Sequence, residues 1–158
     1  MTERPLELKS ILVPTDFGPT AAKALDLAVD LAKKYGATIT LLHVYEVPVY
    51  PYPGTLVDID FVTPIREAAQ KELASAFDAL KLRGVEARSE LEFGVPWSVI
   101  LDKAAHRKAD LIVIGTHGRK GVMHAILGSV AEKVVRLSPI PVLTVRSSEP
   151  SPASAPKK

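Results

Sequence analysis

The chain of 158 residues contains no cysteine, which excludes disulfide bonds, thiolate metal sites and cysteine nucleophiles. It also has no apolar run near the roughly 18 residues needed to span a bilayer. The first ten residues, MTERPLELKS, contain no apolar segment of the kind found in secretory signals. We therefore expect a protein of the reducing cytoplasm that has no membrane partner.

The chain also lacks a strong excess of either charge. Its 20 Lys and Arg residues nearly balance its 18 Asp and Glu residues, and the net charge is +2. The basic stretches AKK, HRK and GRK are short and scattered. Two of them come where we predict helix C-termini, at which cations interact favourably with the helix dipole. We therefore expect no nucleic-acid partner.

Length and composition predict one globular domain, since 158 residues with 47% hydrophobic side chains can bury a substantial core. We place this domain at residues 1–146. The remaining residues, 147–158, are rich in Pro, Ser and Ala and are expected to be a disordered tail.

Apolar runs alternate with stretches of helical periodicity along the domain. SILVPTD, ATITLLHVYE, DLIVIG and IPVLTVRS predict buried strands, and the alternating VEARSELEFG predicts an edge strand. Helices are predicted between them, in GPTAAKALDLAVDLAKKYG, FVTPIREAAQKELASAFDALKLRG ending at Gly84, VPWSVILDKAAHRKA and SVAEKVVRLS. The order predicts an α/β fold, a doubly wound parallel sheet with helices on both faces. Residues 46–60, rich in Pro and Tyr, are expected to form a loop, because three prolines exclude a regular element over most of this stretch.

Sheets of this kind bind ligands beyond the carboxyl ends of their strands, where the strand order reverses. The two most continuous apolar runs, ILVP and LIVIG, are predicted to be the central pair. Asp16 and Gly115 lie at their carboxyl ends. A ligand is therefore expected beside these two residues.

Four of the nine glycines fall in one stretch of fifteen residues, GTHGRKGVMHAILGS. The chain has no GK pair, and its first turn reads PTDFGPT, so neither the P-loop nor the dinucleotide fingerprint applies. The spacing is G-x-x-G, nine residues, then G-S. Gly115 and Gly118 would let backbone N–H groups approach an anion. Gly128 and Ser129 would open a helix whose free N–H groups attract phosphate, with His117 and Arg119 nearby.

A purely structural interpretation of the same stretch stays open. The segment SVAE matches the capping box S-x-x-E, so Ser129 would cap the helix with support from Glu132. Gly115 would then be an ordinary glycine at a strand end, and Asp16 a turn aspartate bonded to its own backbone. His43 is predicted to be a hydrogen-bonded histidine of the core, and Trp97 to serve packing.

The segment GTHGRKGVMHAILGSVAEKVVRLSPIPVLTVR resembles the universal stress protein family, whose ATP-binding members carry G-2x-G-9x-G-[ST]. ILVPTDFGPTAAKAL is similar to the family's first strand and its Asp-containing turn, and ATITLLHVYE to its second strand. The resemblance covers residues 6–146. Gly18 stands where many members have serine, and Lys120 replaces a small hydroxyl residue that is frequent there.

The resemblance implies a five-stranded parallel sheet in the order 3-2-1-4-5 and ATP, with Mg, in a cleft beside strands 1 and 4. Asp16 would lie near the ribose or contact the metal, and Val44 would contact adenine. The implied ATP-binding residues are Pro14, Thr15, Asp16, Val44, Gly115, Thr116, His117, Gly118, Arg119, Gly128, Ser129 and Val130. A homodimer is implied through the last strand, Pro141 to Arg146, whose edge needs a partner.

Three functions remain after this comparison. The first is a dimeric, ATP-binding regulatory protein of the stress response. The second is a slow ATP hydrolase, although the chain has no P-loop lysine and no evident second carboxylate for the reaction. The third is an interaction scaffold that binds no nucleotide, against which the glycine spacing argues. No catalytic residue is assigned.

Overall fold

The computed structural model describes residues 7–47, 60–117 and 127–146. Strands and helices alternate throughout this part of the chain. They are β1 Ser10–Pro14, α1 Pro19–Tyr35, β2 Thr38–Tyr45, α2 Val62–Lys81, β3 Ala87–Phe93, α3 Pro96–His106, β4 Leu111–Gly115, α4 Ser129–Leu137 and β5 Val142–Val145. The predicted tail and most of the Pro/Tyr-rich loop lie outside the described residues.

The five strands form one parallel sheet in the order β3-β2-β1-β4-β5. This confirms the predicted fold. It also confirms the central pair, since β1 lies beside β4 with Ile11 opposite Leu111. Both strands are continuous apolar runs because helices cover both faces of the sheet.

Two hydrophobic cores lie on opposite faces of this sheet. Ile11 and Val13 of β1 point into the core under α1 and α2. Leu12, between them in sequence, points into the core under α3 and α4. Successive side chains of a strand alternate between faces, so one short run of apolar residues supplies both cores.

The first helix follows its predicted pattern closely. Pro19 is its first residue, and Gly36 ends it in the left-handed region at φ 69°. Ala21, Ala28, Val29 and Ala32, at helical spacing within the predicted segment, are buried, and Leu25 packs against the core under α1 and α2.

The second helix ends earlier than predicted. Its last residue is Lys81, whereas the sequence placed the end at Gly84. The N–H of Arg83 donates to the carbonyl oxygen of Leu80, three residues back, at 2.9 Å, which tightens the chain into a turn. Gly84 then takes a φ of 75°, a conformation open to glycine, and reverses the chain toward β3. The glycine therefore marks the turn after the helix.

The carboxyl ends of the three inner strands lie at one edge of the sheet. The pairing of β1 with β2 runs one residue past β1, where the N–H of Thr15 donates to the carbonyl oxygen of Leu42 at 2.8 Å. This bond brings the segment after β1 beside the last residues of β2. The end of β4 lies at the same edge, because β4 pairs parallel with β1 on its other side. None of the helices in the described ranges is long and apolar enough to cross a membrane.

Candidate functional site

A cleft of about 270 Å³ opens at the carboxyl ends of β1, β2 and β4. Its wall on the α3 and α4 side is apolar, and its rim is polar. The residues that line it are Pro14, Thr15, Asp16, Ala21, Leu42, His43, Val44, Glu46, Pro96, Ile100, Ile114, Gly115, Thr116, His117, Gly128, Ser129, Val130 and Ala131. The cleft lies at the edge where this fold is expected to bind ligands.

Ten of the twelve predicted site residues line this cleft. They are Pro14, Thr15, Asp16, Val44, Gly115, Thr116, His117, Gly128, Ser129 and Val130. The other two, Gly118 and Arg119, lie outside the described residues. Segments that are far apart in the sequence thus meet around one cavity.

The turn between β1 and α1 carries Asp16 into the cleft. The Asp16 Oδ1 accepts a hydrogen bond from the N–H of Gly18 at 2.9 Å, and the Thr15 Oγ1 accepts one from the N–H of Phe17 at 3.0 Å. The turn interpretation of Asp16 is therefore confirmed, and the same residue also lines the cleft. Gly18 is the N-cap of α1 and has no side chain to cap it, as its departure from the family pattern implied.

Gly115 is required by a close approach between β4 and α1. A Cβ atom at this position would lie 2.9 Å from the backbone carbon of Thr20 and 3.0 Å from the backbone nitrogen of Ala21. Real Cβ atoms essentially never come within 3.0 Å of a heavy atom outside their own and the adjacent residues. The interpretation of Gly115 as a residue without a special role is therefore wrong. Its missing side chain lets α1 pack on the end of β4.

Thr116 connects three elements at the bottom of the cleft. Its side chain is fully buried. Its N–H donates to the carbonyl oxygen of Val145 on β5 at 2.9 Å, and its own carbonyl oxygen accepts from the N–H of Gly128 at 2.5 Å. Its Oγ1 lies 2.9 Å from the Nδ1 of His117. Thr116 therefore holds the start of α4 against the ends of β4 and β5.

The start of α4 differs from the predicted capping box. Gly128 is the N-cap, with φ −66° and ψ 160°, and as a glycine it has no side chain to cap the helix. Ser129 is instead the first helical residue and is exposed, while Glu132 pairs with Arg136 at 3.4 Å, one turn on. The first N–H groups of any α-helix lack acceptors within the helix. Those of Ser129, Val130 and Ala131 belong to residues that line the cleft.

Two polar residues of the cleft were not predicted as site residues. His43 is hydrogen-bonded, as expected, with its Nδ1 2.7 Å from the carbonyl oxygen of Thr15. It is half-buried on the cleft wall, however, so its assignment to the core was wrong. Glu46 follows β2 and lines the rim. The missed signal was strand pairing, because Pro14 lies opposite Leu42, and residues just after each therefore meet at one edge.

Helix α3 supplies an apolar wall through Pro96 and Ile100, one helical turn apart. Trp97, between them, packs against the core under α3 and α4. The Nζ atom of Lys133 lies 5.3 Å from the centre of its ring. Trp97 is not among the cleft residues, in agreement with its predicted packing role.

The charges around the cleft are unevenly distributed. Among its described residues, Asp16 and Glu46 are acidic and none is Lys or Arg. The positive end of the α4 dipole opens on another part of the wall. In the part of the chain that the structure describes, no group of three or more His, Cys, Asp or Glu side chains could hold a metal ion.

The family model for the universal stress protein family matches residues 7–146. The chain belongs to the universal stress protein family. The universal stress protein YxiE of Bacillus subtilis is 37% identical over 144 residues, which are 86% of this chain and 97% of that protein. The solved structure of universal stress protein UspA from Lactobacillus plantarum has a TM-score of 0.72 at 28% identity and covers 90% of this chain and 100% of its own.

A further solved structure is a universal stress protein in complex with cAMP. It has a TM-score of 0.68 at 24% identity and covers 90% of this chain and 100% of its own. At this identity the similarity shows the shared fold. Together with UspA it shows that the sheet order and helix layers of this chain are those of a universal stress protein.

Proposed function

We propose that this chain binds ATP together with Mg²⁺ in the described cleft and acts as a dimeric regulatory protein of the cytoplasmic stress response. The observation that carries the proposal is the convergence on one cleft of the Asp16 turn, Val44 and the start of α4, whose N-cap residue is a glycine. Residues 1–146 form the binding domain in this proposal. The tail, 147–158, takes no part in binding.

The two ends of the cleft suit the two ends of a nucleotide. Leu42, Val44 and Ile100 form an apolar surface on which a base can lie. The first turn of α4 presents N–H groups that its N-cap residue, Gly128, has no side chain to cap, and such a helix start is a usual environment for a bound phosphate. Asp16 lies after β1, between β2 and β4, and its carboxylate can accept hydrogen bonds from ribose hydroxyls.

The donor set fits Mg²⁺ when it arrives with a nucleotide. Mg²⁺ prefers oxygen ligands and is commonly held by one or two carboxylates together with substrate phosphates and water. Asp16 supplies one such carboxylate, and the nucleotide would supply the phosphate oxygens. Bound Mg²⁺ would neutralise charge on the phosphates. The α4 N–H groups would orient them, and the apolar wall would exclude water from the base.

The described cleft supports binding better than hydrolysis. Phosphoryl transfer to water needs a positioned nucleophile and cationic groups that stabilise the charge of the transition state. None of the cleft residues in the described ranges is Lys or Arg, and the Asp16 Oδ1 is engaged in the turn. We therefore assign no catalytic residue. The cAMP complex of the family neighbour shows that a protein with this fold accommodates an adenine nucleotide, and the residues of this chain carry the rest of the proposal.

The proposed dimer interface is the outer edge of β5. In the described sheet β5 pairs with β4 alone, and its four residues, VLTV, carry no charge. The opposite edge strand, β3, instead carries Arg88, Glu90 and Glu92. Charged side chains protect a sheet edge from pairing, and an uncharged edge is open to a partner strand. The contrast supports pairing through Pro141 to Arg146 rather than through β3.

The experiment that tests nucleotide binding introduces a negative charge at the first residue of α4. In the variant Ser129→Glu, an acidic side chain at the first position of α4 would stabilise the helix dipole and repel phosphate. Ser129→Gln has nearly the same size and no charge, and it serves as the matched control. Calorimetric titration with adenosine, AMP and MgATP measures the affinity of each protein.

We expect wild type and Ser129→Gln to bind MgATP with similar affinity. Ser129→Glu should bind it at least tenfold more weakly, a loss of about 1.4 kcal/mol. Adenosine, which has no phosphate, should bind all three proteins equally. Wild-type protein that binds none of these ligands would refute the proposed function. Equal loss of adenosine and MgATP in Ser129→Glu would place the phosphates away from α4.

A further inference from the structure

His43 connects β2 to the turn that carries the acidic residue of the cleft. Its Nδ1 lies 2.7 Å from the carbonyl oxygen of Thr15, 28 residues away in the sequence. A carbonyl oxygen only accepts hydrogen bonds, so the Nδ1 carries the proton and donates it. The imidazole also lies against the ring of Phe17, with 4.4 Å between the ring centres.

The turn that His43 contacts has an unusual backbone. Phe17 has a φ of 64°, a left-handed conformation that bulky residues rarely adopt. Such conformations persist where the surrounding contacts hold them. The bonds from the Phe17 N–H to the Thr15 Oγ1 and from the Gly18 N–H to the Asp16 Oδ1 are local, since each spans two residues of the chain. The bond from His43, by contrast, joins the turn to another strand, β2.

The two residues held by this turn, Thr15 and Asp16, line the cleft, and so does His43 itself. On the basis of the proposed function, we propose that His43 is a positioning residue of the nucleotide site. By donating to the Thr15 carbonyl and supporting the Phe17 ring, it holds Thr15 and Asp16 in place for the ribose side of the ligand. His43 thus links the β2 wall of the cleft to its β1 side.

Two substitutions separate the hydrogen bond from the bulk of the ring. His43→Leu removes the donor and keeps an apolar side chain, whereas His43→Asn keeps an N–H donor near the Nδ1 position. Leu80→Val changes a buried residue of the α2 core that is not among the cleft residues, and it serves as a control for a general loss of stability. Titration with adenosine and MgATP measures affinity, and hydrogen exchange measures the protection of the Phe17 and Gly18 amides.

We expect His43→Leu to bind both ligands about tenfold more weakly, the effect of losing roughly one useful hydrogen bond. His43→Asn should recover most of the affinity, and Leu80→Val should bind as wild type does. The Phe17 and Gly18 amides donate to the turn side chains, and they should exchange faster in His43→Leu than in His43→Asn.

Any other outcome would contradict a specific part of the proposal. Unchanged exchange in His43→Leu would overturn the role of His43 in holding the turn. Faster exchange with unchanged affinity would overturn its role in positioning the ligand, and so would a folded His43→Asn that binds as weakly as His43→Leu. If wild type binds no nucleotide, the proposed function fails and the ligand role falls with it. The exchange rates would then still decide whether His43 holds the turn.

Discussion

Replacing Gly115 by alanine tests whether this glycine of the motif serves the fold before any ligand is bound. The added Cβ would lie 2.9 Å from the backbone carbon of Thr20 and 3.0 Å from both the Ala21 nitrogen and the Thr20 Cγ2. Favourable carbon contacts lie at about 3.5–4.0 Å, so the neighbours must move by roughly half an ångström. Two of the three nearest atoms belong to the α1 backbone, which moves only with the helix.

The expected cost follows from this crowding. Overpacking of a well-packed site typically costs about 1–3 kcal/mol, a substantial part of the roughly 5–15 kcal/mol that stabilises a domain. For a chain of this length the melting temperature should fall by roughly 2–12 °C. Adding Thr20→Ser, which deletes the crowded methyl group, should recover only part of the loss, because the backbone contacts remain.

Urea unfolding of the ligand-free protein measures this cost, with the fluorescence of the single tryptophan, Trp97, as the probe. Gly36 provides a matched control, since it has a φ of 69° and no atom within 4 Å of an added Cβ. Asn should be tolerated better than Ala at Gly36, because Asn adopts the left-handed conformation more readily. At Gly115 Asn should be the worse of the two, because it is larger. A Gly115→Ala protein as stable as wild type would refute the close-approach explanation.

Two further predictions concern the sheet edge and the partly buried carboxylate of Glu90, which pairs with Lys103 and Arg107. The carbonyls of Pro141 and Val145 accept bonds from the N–H groups of Ile112 and Thr116, so by the alternation along a strand the N–H of Thr144 points to the free edge. Thr144→Pro should therefore convert the proposed dimer to a folded monomer, as measured by light scattering. Leu143→Pro, which removes an N–H that faces β4, should disrupt the sheet itself. Burial disfavours the charge on Glu90, but hydrogen bonds and charges from Lys103 and Arg107 outweigh it and hold its pKa below the ordinary 4.5. Its contribution to stability is thus present above pH 4.5 and lost as the pH falls through the folded pKa. Glu90→Gln should therefore lower the free energy of unfolding in urea by about 1–3 kcal/mol at pH 7 and reduce its decrease toward acid pH. A variant with the same dependence of this free energy on pH as wild type would contradict the prediction.

The sheet could be predicted from sequence because its strands carry a strong local signal. A strand of a parallel sheet that is buried on both faces is apolar at every position, and LIVIG is such a run. Pro19 and Gly36 mark the ends of α1 by their backbone preferences alone. The family resemblance supplied the strand order. Boundaries were predicted less well, as in α2, because Gly84 lies three residues past the end of the helix and belongs to the turn that follows it.

The site was predicted only as far as its motifs extend along the chain. Gly115 packs against Thr20, which is 95 residues away in the sequence, and the glycine spacing of the motif cannot predict such a contact. The same holds for His43, whose apolar neighbours in β2 indicate burial but not the Thr15 carbonyl beside it. The capping-box match at Ser129 was wrong for a related reason. The Gly128 N–H is bonded to the distant Thr116 carbonyl, and the Gly128 carbonyl accepts the first helical bond, from the Glu132 N–H, so Gly128 is the N-cap and Ser129 lies inside the helix.

These contacts give the glycine motif two separate physical roles. Gly115 lets α1 approach β4, and Thr116 fixes where α4 begins, so both act in the protein without ligand. As a result, the start of α4, whose N-cap residue Gly128 has no side chain, lines the cleft. Loss of ATP affinity after mutation of Gly115 would therefore not by itself show a contact with phosphate, because the mutation also moves the helix that lines the cleft. The charge change at Ser129, which leaves these packing contacts in place, tests the phosphate contact itself.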